Sequence, residues 1–162
     1  MALDQTVFER QYGVFKERIA RKSGRPFVSF DEGLPLEWEG YKEPLRRKAL
    51  GRLSAENWQR NSVGRGEILK SLISAIEIPP EGKDESNNLV RWRNEYGHRN
   101  RSHYVLLDAQ TDPALRSEIE SWAFSFYCGE EEPGAAFEQI RAIVGSRYDL
   151  VAYLFFLSLT ES

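Results

Sequence analysis

The side chains with the most chemistry to offer lie between positions 91 and 104. This stretch holds both histidines of the chain, four arginines and three aromatic residues. A guanidinium group can pair with two phosphate oxygens at once, and an aromatic ring can stack on an unpaired base. Arginines interleaved with aromatic rings are therefore typical of a surface that binds DNA or RNA.

A second basic region precedes that stretch. Residues 42–70 carry eight basic side chains against three acidic ones, residues 89–104 carry four arginines against one glutamate, and residues 105–162 carry three arginines against ten acids. Local positive charge attracts phosphate even where the net charge of the chain is −3. We predict that region 42–70 contacts phosphates and that region 91–103 makes more specific contacts. The predicted nucleic-acid-binding residues are Arg46, Arg47, Lys48, Arg52, Arg60, Arg65, Arg91, Trp92, Arg93, Asn94, Arg99, Arg101 and His103.

The same residues allow a structural alternative. In that arrangement Trp92 and Tyr96 face the core, and the arginines pair with the acidic C-terminal third of the chain. A separate functional alternative is a protein-interaction or scaffold domain, whose acidic C-terminal third meets a basic partner.

Within the stretch, the residues Arg93-Asn94-Glu95-Tyr96-Gly97-His98 resemble the Arg-x4-6-His motif of HEPN-family ribonucleases. The resemblance implies metal-independent RNA cleavage, in which Arg93 stabilises charge on the scissile phosphate and His98 assists the 2′-hydroxyl attack or transfers a proton. It also implies a site shared by two protomers, and so a homodimer. This sequence departs from the family at Gly97, which breaks a helix that the family continues. Whether the chain is an enzyme stays open.

Three further segments are similar to a helical part of prokaryotic restriction-type proteins that carry an HNH nuclease further along. They are residues 146–157 and the shorter pieces 88–92 and 101–103. The resemblance implies a DNA-recognition or accessory module of a restriction or antiviral defence system, with the nuclease in a partner or a fused domain. Our leading hypothesis is accordingly a prokaryotic nucleic-acid-binding module, with the ribonuclease and the scaffold as alternatives.

The elements that must position these residues are predicted to be helical. Apolar residues at helical spacing, with their caps and breakers, predict helices near 3–22, 44–50, 54–78, 89–96, 102–107, 112–126, 137–144 and 149–159. Residues 27–30 can form a short extended piece. The pair Gly64 and Gly66 indicates a helix break, or else a point where backbone approaches a phosphate. We expect one compact, mostly α domain over residues 1–162, with about six to eight helices.

Other function classes lack their residues. The single cysteine, Cys128, and two histidines leave no cysteine-based zinc site and no HNH metal centre, so neither metal nor cofactor is expected. The longest apolar run, Val151–Leu157, is too short to span a bilayer. The first ten residues carry Asp4, Glu9 and Arg10, unlike a signal peptide. We therefore expect a cytoplasmic protein without a membrane partner.

Overall fold

Six α-helices form the part of the chain described by the computed structural model, which comprises residues 36–84, 86–129, 131–145 and 147–158, with side chains from Pro44 onward. They are α1 (Leu36–Leu53), α2 (Glu67–Ile76), α3 (Tyr104–Asp108), α4 (Pro113–Tyr127), α5 (Pro133–Val144) and α6 (Tyr148–Phe156). Single 3-10 turns span Ala55–Asn57, Arg60–Ser62, Asn94–Tyr96 and His98–Asn100. Within these ranges no β-strand forms, which confirms the mostly α prediction. The helix expected over 3–22 and the extended piece over 27–30 lie outside the described residues.

Helix α4 begins, and helix α5 ends, at residues that the sequence marks, but α5 begins at Pro133 and not near position 137 as predicted. The Asp112 carboxylate accepts a hydrogen bond from the Leu115 N–H at 3.2 Å, and Pro113 occupies the first turn. The Glu132 carboxylate accepts from the N–H groups of the first turn of α5, and Gly145 ends that helix with φ of 75°. Each cap satisfies N–H groups that a helix start otherwise leaves unpaired.

The predicted start of α1 is wrong. The helix begins at Leu36, and Pro44 lies inside it rather than in its first turn. A proline inside a helix removes one backbone hydrogen bond, which burial of Leu45, Ala49 and Leu53 on the face packed against α2 can offset.

Ser54 ends α1 instead of starting the next helix. Its φ is 48°, and its hydroxyl donates to the carbonyl of Gly51 at 2.6 Å. Two 3-10 turns follow, and the next helix begins only at Glu67, so the helix predicted from position 54 is wrong over its first half.

The region 89–104 contains less helix than expected. Residues 89–93 are not helical, and Gly97, with φ of 82°, separates two single 3-10 turns. The predicted break at Gly97 is confirmed. The predicted cap at Ser102 is wrong, since its hydroxyl bonds elsewhere and His103 precedes α3. Hydrogen bonds between side chains and nearby backbone, such as that from the Asn100 amide to the Tyr96 carbonyl, compete with helix formation here.

The core lies between α1, α2, α4, α5 and α6. Its centre is aromatic: the Trp122 and Phe126 rings stack with centroids 5.1 Å apart, and Phe126 meets Phe155 of α6 at 4.6 Å. Phe137 of α5 adds an edge contact to Phe155 at 5.8 Å. Helix α6 is buried nearly all round, as its apolar sequence predicts. Asp149 in its N-terminal turn accepts the hydrogen bond that anchors the region 91–101 through Ser102.

Candidate nucleic-acid interface

Residues 91–101, named here the arginine loop, form a loop that is closed at its base. The Arg91 N–H donates to the Ser102 hydroxyl at 3.0 Å, and the Ser102 N–H donates to the Arg91 carbonyl at 2.7 Å. The Ser102 hydroxyl in turn donates to a carboxylate oxygen of Asp149, in the first turn of α6. Ser102 is only 3% exposed, and its bonds to Arg91 and Asp149 are partly buried. The loop is thus fixed to the core at both of its ends.

A second anchor holds the start of the loop. The side-chain amide of Asn87, 1% exposed, donates to the Ile76 carbonyl at the end of α2 at 2.8 Å. The indole N–H of Trp92 donates to the Asn87 carbonyl at 2.8 Å. Trp92 is therefore half-buried and fixed in place, and it acts as a support for its neighbours more than as a free binding group.

Two arginines of the loop lie over aromatic rings. The Arg91 guanidinium is 5.3 Å from the centroid of Tyr96, and the Arg93 guanidinium is 5.4 Å from that of Trp92. Arg93 also donates to the Ser86 hydroxyl at 2.6 Å. Such contacts restrict the side-chain rotamers of a guanidinium without neutralising its charge.

A fifth arginine contacts the loop from the residue directly before α6. Arg147, directly before α6, lies 4.9 Å from the centroid of Tyr104 and donates to the Arg99 carbonyl at 2.5 Å. Arg101 donates to the Asn94 side-chain oxygen at 2.9 Å, while its buried Nε has no hydrogen-bond partner. Five guanidinium groups thus lie on, or bond to, one stretch of backbone.

Within the described ranges, none of these five arginines forms an ion pair with a carboxylate. The loop has a single acid, Glu95, which is exposed. The structural alternative, in which the acidic C-terminal third neutralises the arginines, is therefore not what the described residues show. Tyr96, expected in that alternative to face the core, is 43% exposed.

His98 has partners on both ring nitrogens. Its Nε2 lies 2.6 Å from an Asp108 carboxylate oxygen, and its Nδ1 lies 3.3 Å from an Arg101 nitrogen. A neutral ring that donates from Nε2 and accepts at Nδ1 satisfies both contacts. The histidine and the aspartate are each about half exposed.

Arg93 and His98, the two residues of the ribonuclease resemblance, do not contact one another among the described residues. Arg93 bonds to Ser86, and His98 bonds to Asp108, on either side of the break at Gly97. The continuous helix that carries this motif in the HEPN family is absent from residues 93–98.

Two predicted nucleic-acid-binding residues are buried, and those predictions are wrong. Arg46 is 6% exposed and donates to the Phe156 carbonyl at 3.3 Å, at the end of α6. His103 is fully buried, with Nε2 at 2.6 Å from the Glu77 carboxylate. Both side chains satisfy acceptors within the fold, and neither can reach a phosphate outside it.

Two more basic residues of region 42–70 are occupied within the fold. Arg52 donates to the Ser74 and Glu77 carbonyls at 3.0 and 3.1 Å, where α2 leaves its last carbonyls unpaired. Lys48 bonds to the carboxylates of Asp84 and Glu81, which raise its pKa. Bonds within the fold thus involve three of the six residues predicted there, namely Arg46, Lys48 and Arg52.

Three arginines of region 42–70 face solvent. They are Arg47, Arg60 and Arg65, each of which is exposed. Arg60 also lies 5.3 Å from the centroid of Phe124 in α4. All three stay predicted phosphate contacts.

The glycine pair is a helix break, as favoured, and its backbone donors are occupied. Gly64 and Gly66 have φ of 92° and 101°. Their N–H groups donate to one oxygen of the Glu120 carboxylate at 2.7 and 3.1 Å, and the Leu69 N–H donates to the other at 2.7 Å. Glu120 is fully buried, so an internal carboxylate fills the place where a phosphate would sit.

Sequence analysis missed Glu120. The only signal is its position directly after Ile119, within the apolar stripe of α4 that continues at Trp122. An acid in such a stripe is buried only where it finds partners.

Neither a metal-binding cluster nor a membrane-spanning helix occurs among the described residues. Groups of three or more histidine, cysteine, aspartate or glutamate side chains that could hold a metal ion are absent there. Equally, none of the described helices has the length and apolar character needed to cross a membrane.

Comparison with protein-family models, with curated proteins and with solved structures yields no match to this chain. A function is therefore inferred from the residues of the arginine loop and their surroundings.

Proposed function

We propose that this chain is a nucleic-acid-binding module, in which the arginine loop and Arg147 contact phosphates. One observation carries the proposal: four guanidinium groups belong to one anchored loop, a fifth, that of Arg147, bonds to it, and none of the five pairs with a carboxylate among the described residues. An uncompensated guanidinium is matched best by a phosphate or carboxylate from another molecule. Arg47, Arg60 and Arg65 are proposed as further phosphate contacts.

The biological setting that we propose follows from the restriction-type resemblance alone. The module would deliver a nuclease, in a partner or a fused domain, to DNA or RNA in a prokaryotic defence system. The phosphate chemistry of the loop does not depend on this setting and is tested separately.

Salt dependence tests the proposal. Neutralising five phosphates gives a slope of log affinity against log salt of about −4.5 on duplex DNA and about −3.5 on single strands. Fluorescence anisotropy would be measured with labelled single- and double-stranded DNA and RNA in EDTA, between about 50 and 200 mM salt. Binding that does not weaken with salt, or no binding to any strand, would contradict the proposal.

A matched pair of variants locates the interface. Arg99→Ala removes an exposed guanidinium of the loop and is expected to reduce the salt slope by about one on duplex. Arg141→Ala removes an arginine that lies on α5 and pairs with Glu138 at 3.5 Å, so it should leave the slope unchanged. Equal effects of the two variants would place the binding surface elsewhere.

The ribonuclease alternative has one observation in its favour. His98 is half exposed and bonded to Asp108 at 2.6 Å, an arrangement in which the carboxylate orients the imidazole ring. The same incubations, resolved on a denaturing gel, decide the point. RNA products that form in EDTA and disappear in both Arg93→Ala and His98→Ala would replace the binding module by the enzyme.

A further inference from the structure

Tyr96 differs from every other large apolar residue that the structure describes, because it alone is exposed, at 43%. A single exposed aromatic residue is common on protein surfaces. This ring, however, has a fixed setting: the Arg91 guanidinium lies over it at 5.3 Å, and the Asn100 amide donates to the Tyr96 carbonyl at 3.1 Å. The ring is thus held outward beside a cation, in the middle of the arginine loop.

The backbone that carries this ring lacks the elements that usually enter the major groove of a duplex. The major groove of DNA admits an α-helix or a two-stranded ribbon. The arginine loop offers neither, because its regular structure consists of two three-residue 3-10 turns separated by Gly97. An exposed ring on such a loop offers a face on which an unpaired base can stack.

We propose that Tyr96 and Arg91 form a stacking site for an unpaired base of single-stranded nucleic acid. This inference rests on the proposed function and specifies its ligand. The base stacks on the exposed Tyr96 ring, and Arg91, which already lies beside that ring, pairs with the flanking phosphate. Stacking on a tyrosine needs no particular base, so the site accepts different sequences.

The experiment separates the base from the phosphate. Anisotropy would be recorded for the full chain with a labelled thymidine strand of about 16 nucleotides, its uridine RNA counterpart, a duplex, and an abasic strand of equal length. The abasic strand keeps the phosphates and lacks the bases. Wild type, Tyr96→Ala and Tyr96→Phe would be compared, with far-UV circular dichroism to confirm that all three fold.

Stacking predicts that Tyr96→Ala weakens binding to the base-containing single strands by about 5- to 100-fold. The same variant should leave binding to the abasic strand unchanged, and Tyr96→Phe should behave as wild type, because it retains the ring. A loss on RNA alone, on DNA alone or on both supports the site and identifies the sugar that it accepts.

The contrary results are distinguishable. If wild type binds single strands in a salt-sensitive manner and Tyr96→Ala changes nothing, stacking is refuted while phosphate binding stands. Equal affinity for the abasic strand would show a surface for polyanions in general, acidic proteins included, and would also refute stacking. Tighter binding to the duplex than to the single strands has the same consequence. No binding by wild type to any strand refutes both proposals.

Discussion

The Glu120 carboxylate is expected to be among the most stabilising polar groups of the described fold. It accepts three backbone hydrogen bonds, from Gly64, Gly66 and Leu69, at 2.7 to 3.1 Å, and it is fully buried. Hydrogen bonds to a charged group contribute about 1.5–3 kcal/mol each, and unpaired buried donors add a penalty. Partial relaxation and water entry reduce the sum, so we expect Glu120→Ala to lower the free energy of unfolding by about 3–5 kcal/mol.

Glu120→Gln refines the test. Its amide oxygen can keep the bonds from Gly64 and Gly66, while its NH2 group then faces the Leu69 N–H, a donor against a donor. We expect a loss of about 2 kcal/mol for this variant, intermediate between wild type and alanine. The control is Glu118→Ala, which removes an exposed glutamate from the same helix and should change stability by less than about 0.5 kcal/mol.

Urea denaturation followed by far-UV circular dichroism measures these differences, provided that the slope against urea stays constant. A loss below about 1 kcal/mol for Glu120→Ala would refute the reasoning, since it would mean that the three N–H groups find other partners at little cost. An alanine variant no less stable than the glutamine variant would refute it equally, because the retained oxygen would then contribute nothing.

Three further predictions concern stability and the loop. Desolvation raises the pKa of Tyr127 well above its usual 10.0, so the fold favours the neutral phenol. The contribution of this group to the stability of the fold is complete below pH 10.0 and is lost as the pH rises through the raised pKa. Tyr127→Phe should lower the free energy of unfolding by about 1 kcal/mol at neutral pH, because the bond to the Leu154 carbonyl is lost. In urea titrations the variant should lose less stability at alkaline pH than wild type does. Parallel curves of stability against pH would contradict this. Ser102→Ala should cost about 1–3 kcal/mol and weaken nucleic-acid binding, because it frees the base of the loop from Asp149; unchanged anisotropy would show that the anchor does not matter. Arg52→Ala should lower the free energy of unfolding by about 1–2 kcal/mol, because the carbonyls at the end of α2 lose their donor. Nucleic-acid binding should be unchanged in this variant. Weaker binding at unchanged stability would restore the predicted role of Arg52 as a phosphate contact.

The helices that sequence analysis placed well are those whose signals are local. Asp112 and Pro113 mark the start of α4, and Gly145 marks the end of α5, through contacts with residues no more than four positions away. The apolar sequence of α6 likewise predicts its burial without reference to any other element. Caps and apolar stripes are therefore sufficient for these elements.

The candidate site depends on contacts that no local pattern contains. Arg46 is buried because Phe156, 110 positions later, offers a carbonyl, and His103 is buried because Glu77 lies beside it. The arginine loop keeps its shape through Asp149, which is 47 positions from Ser102. A basic residue that caps a distant helix and one that awaits a phosphate look alike in sequence. The concentration of arginine between positions 91 and 101 could be predicted, but not which of the surrounding cations face solvent.

The closed base of the arginine loop also has a kinetic consequence. Because Arg91 and Ser102 exchange two backbone-anchored bonds, the loop has its shape before any partner arrives. Under the proposed function, a polyanion would meet a preformed array of charges, and association would be a diffusional encounter accelerated by long-range attraction. The observed association rate should rise linearly with protein concentration and show no slow folding phase. The lifetime of a complex would then be set by how quickly its last contacts break.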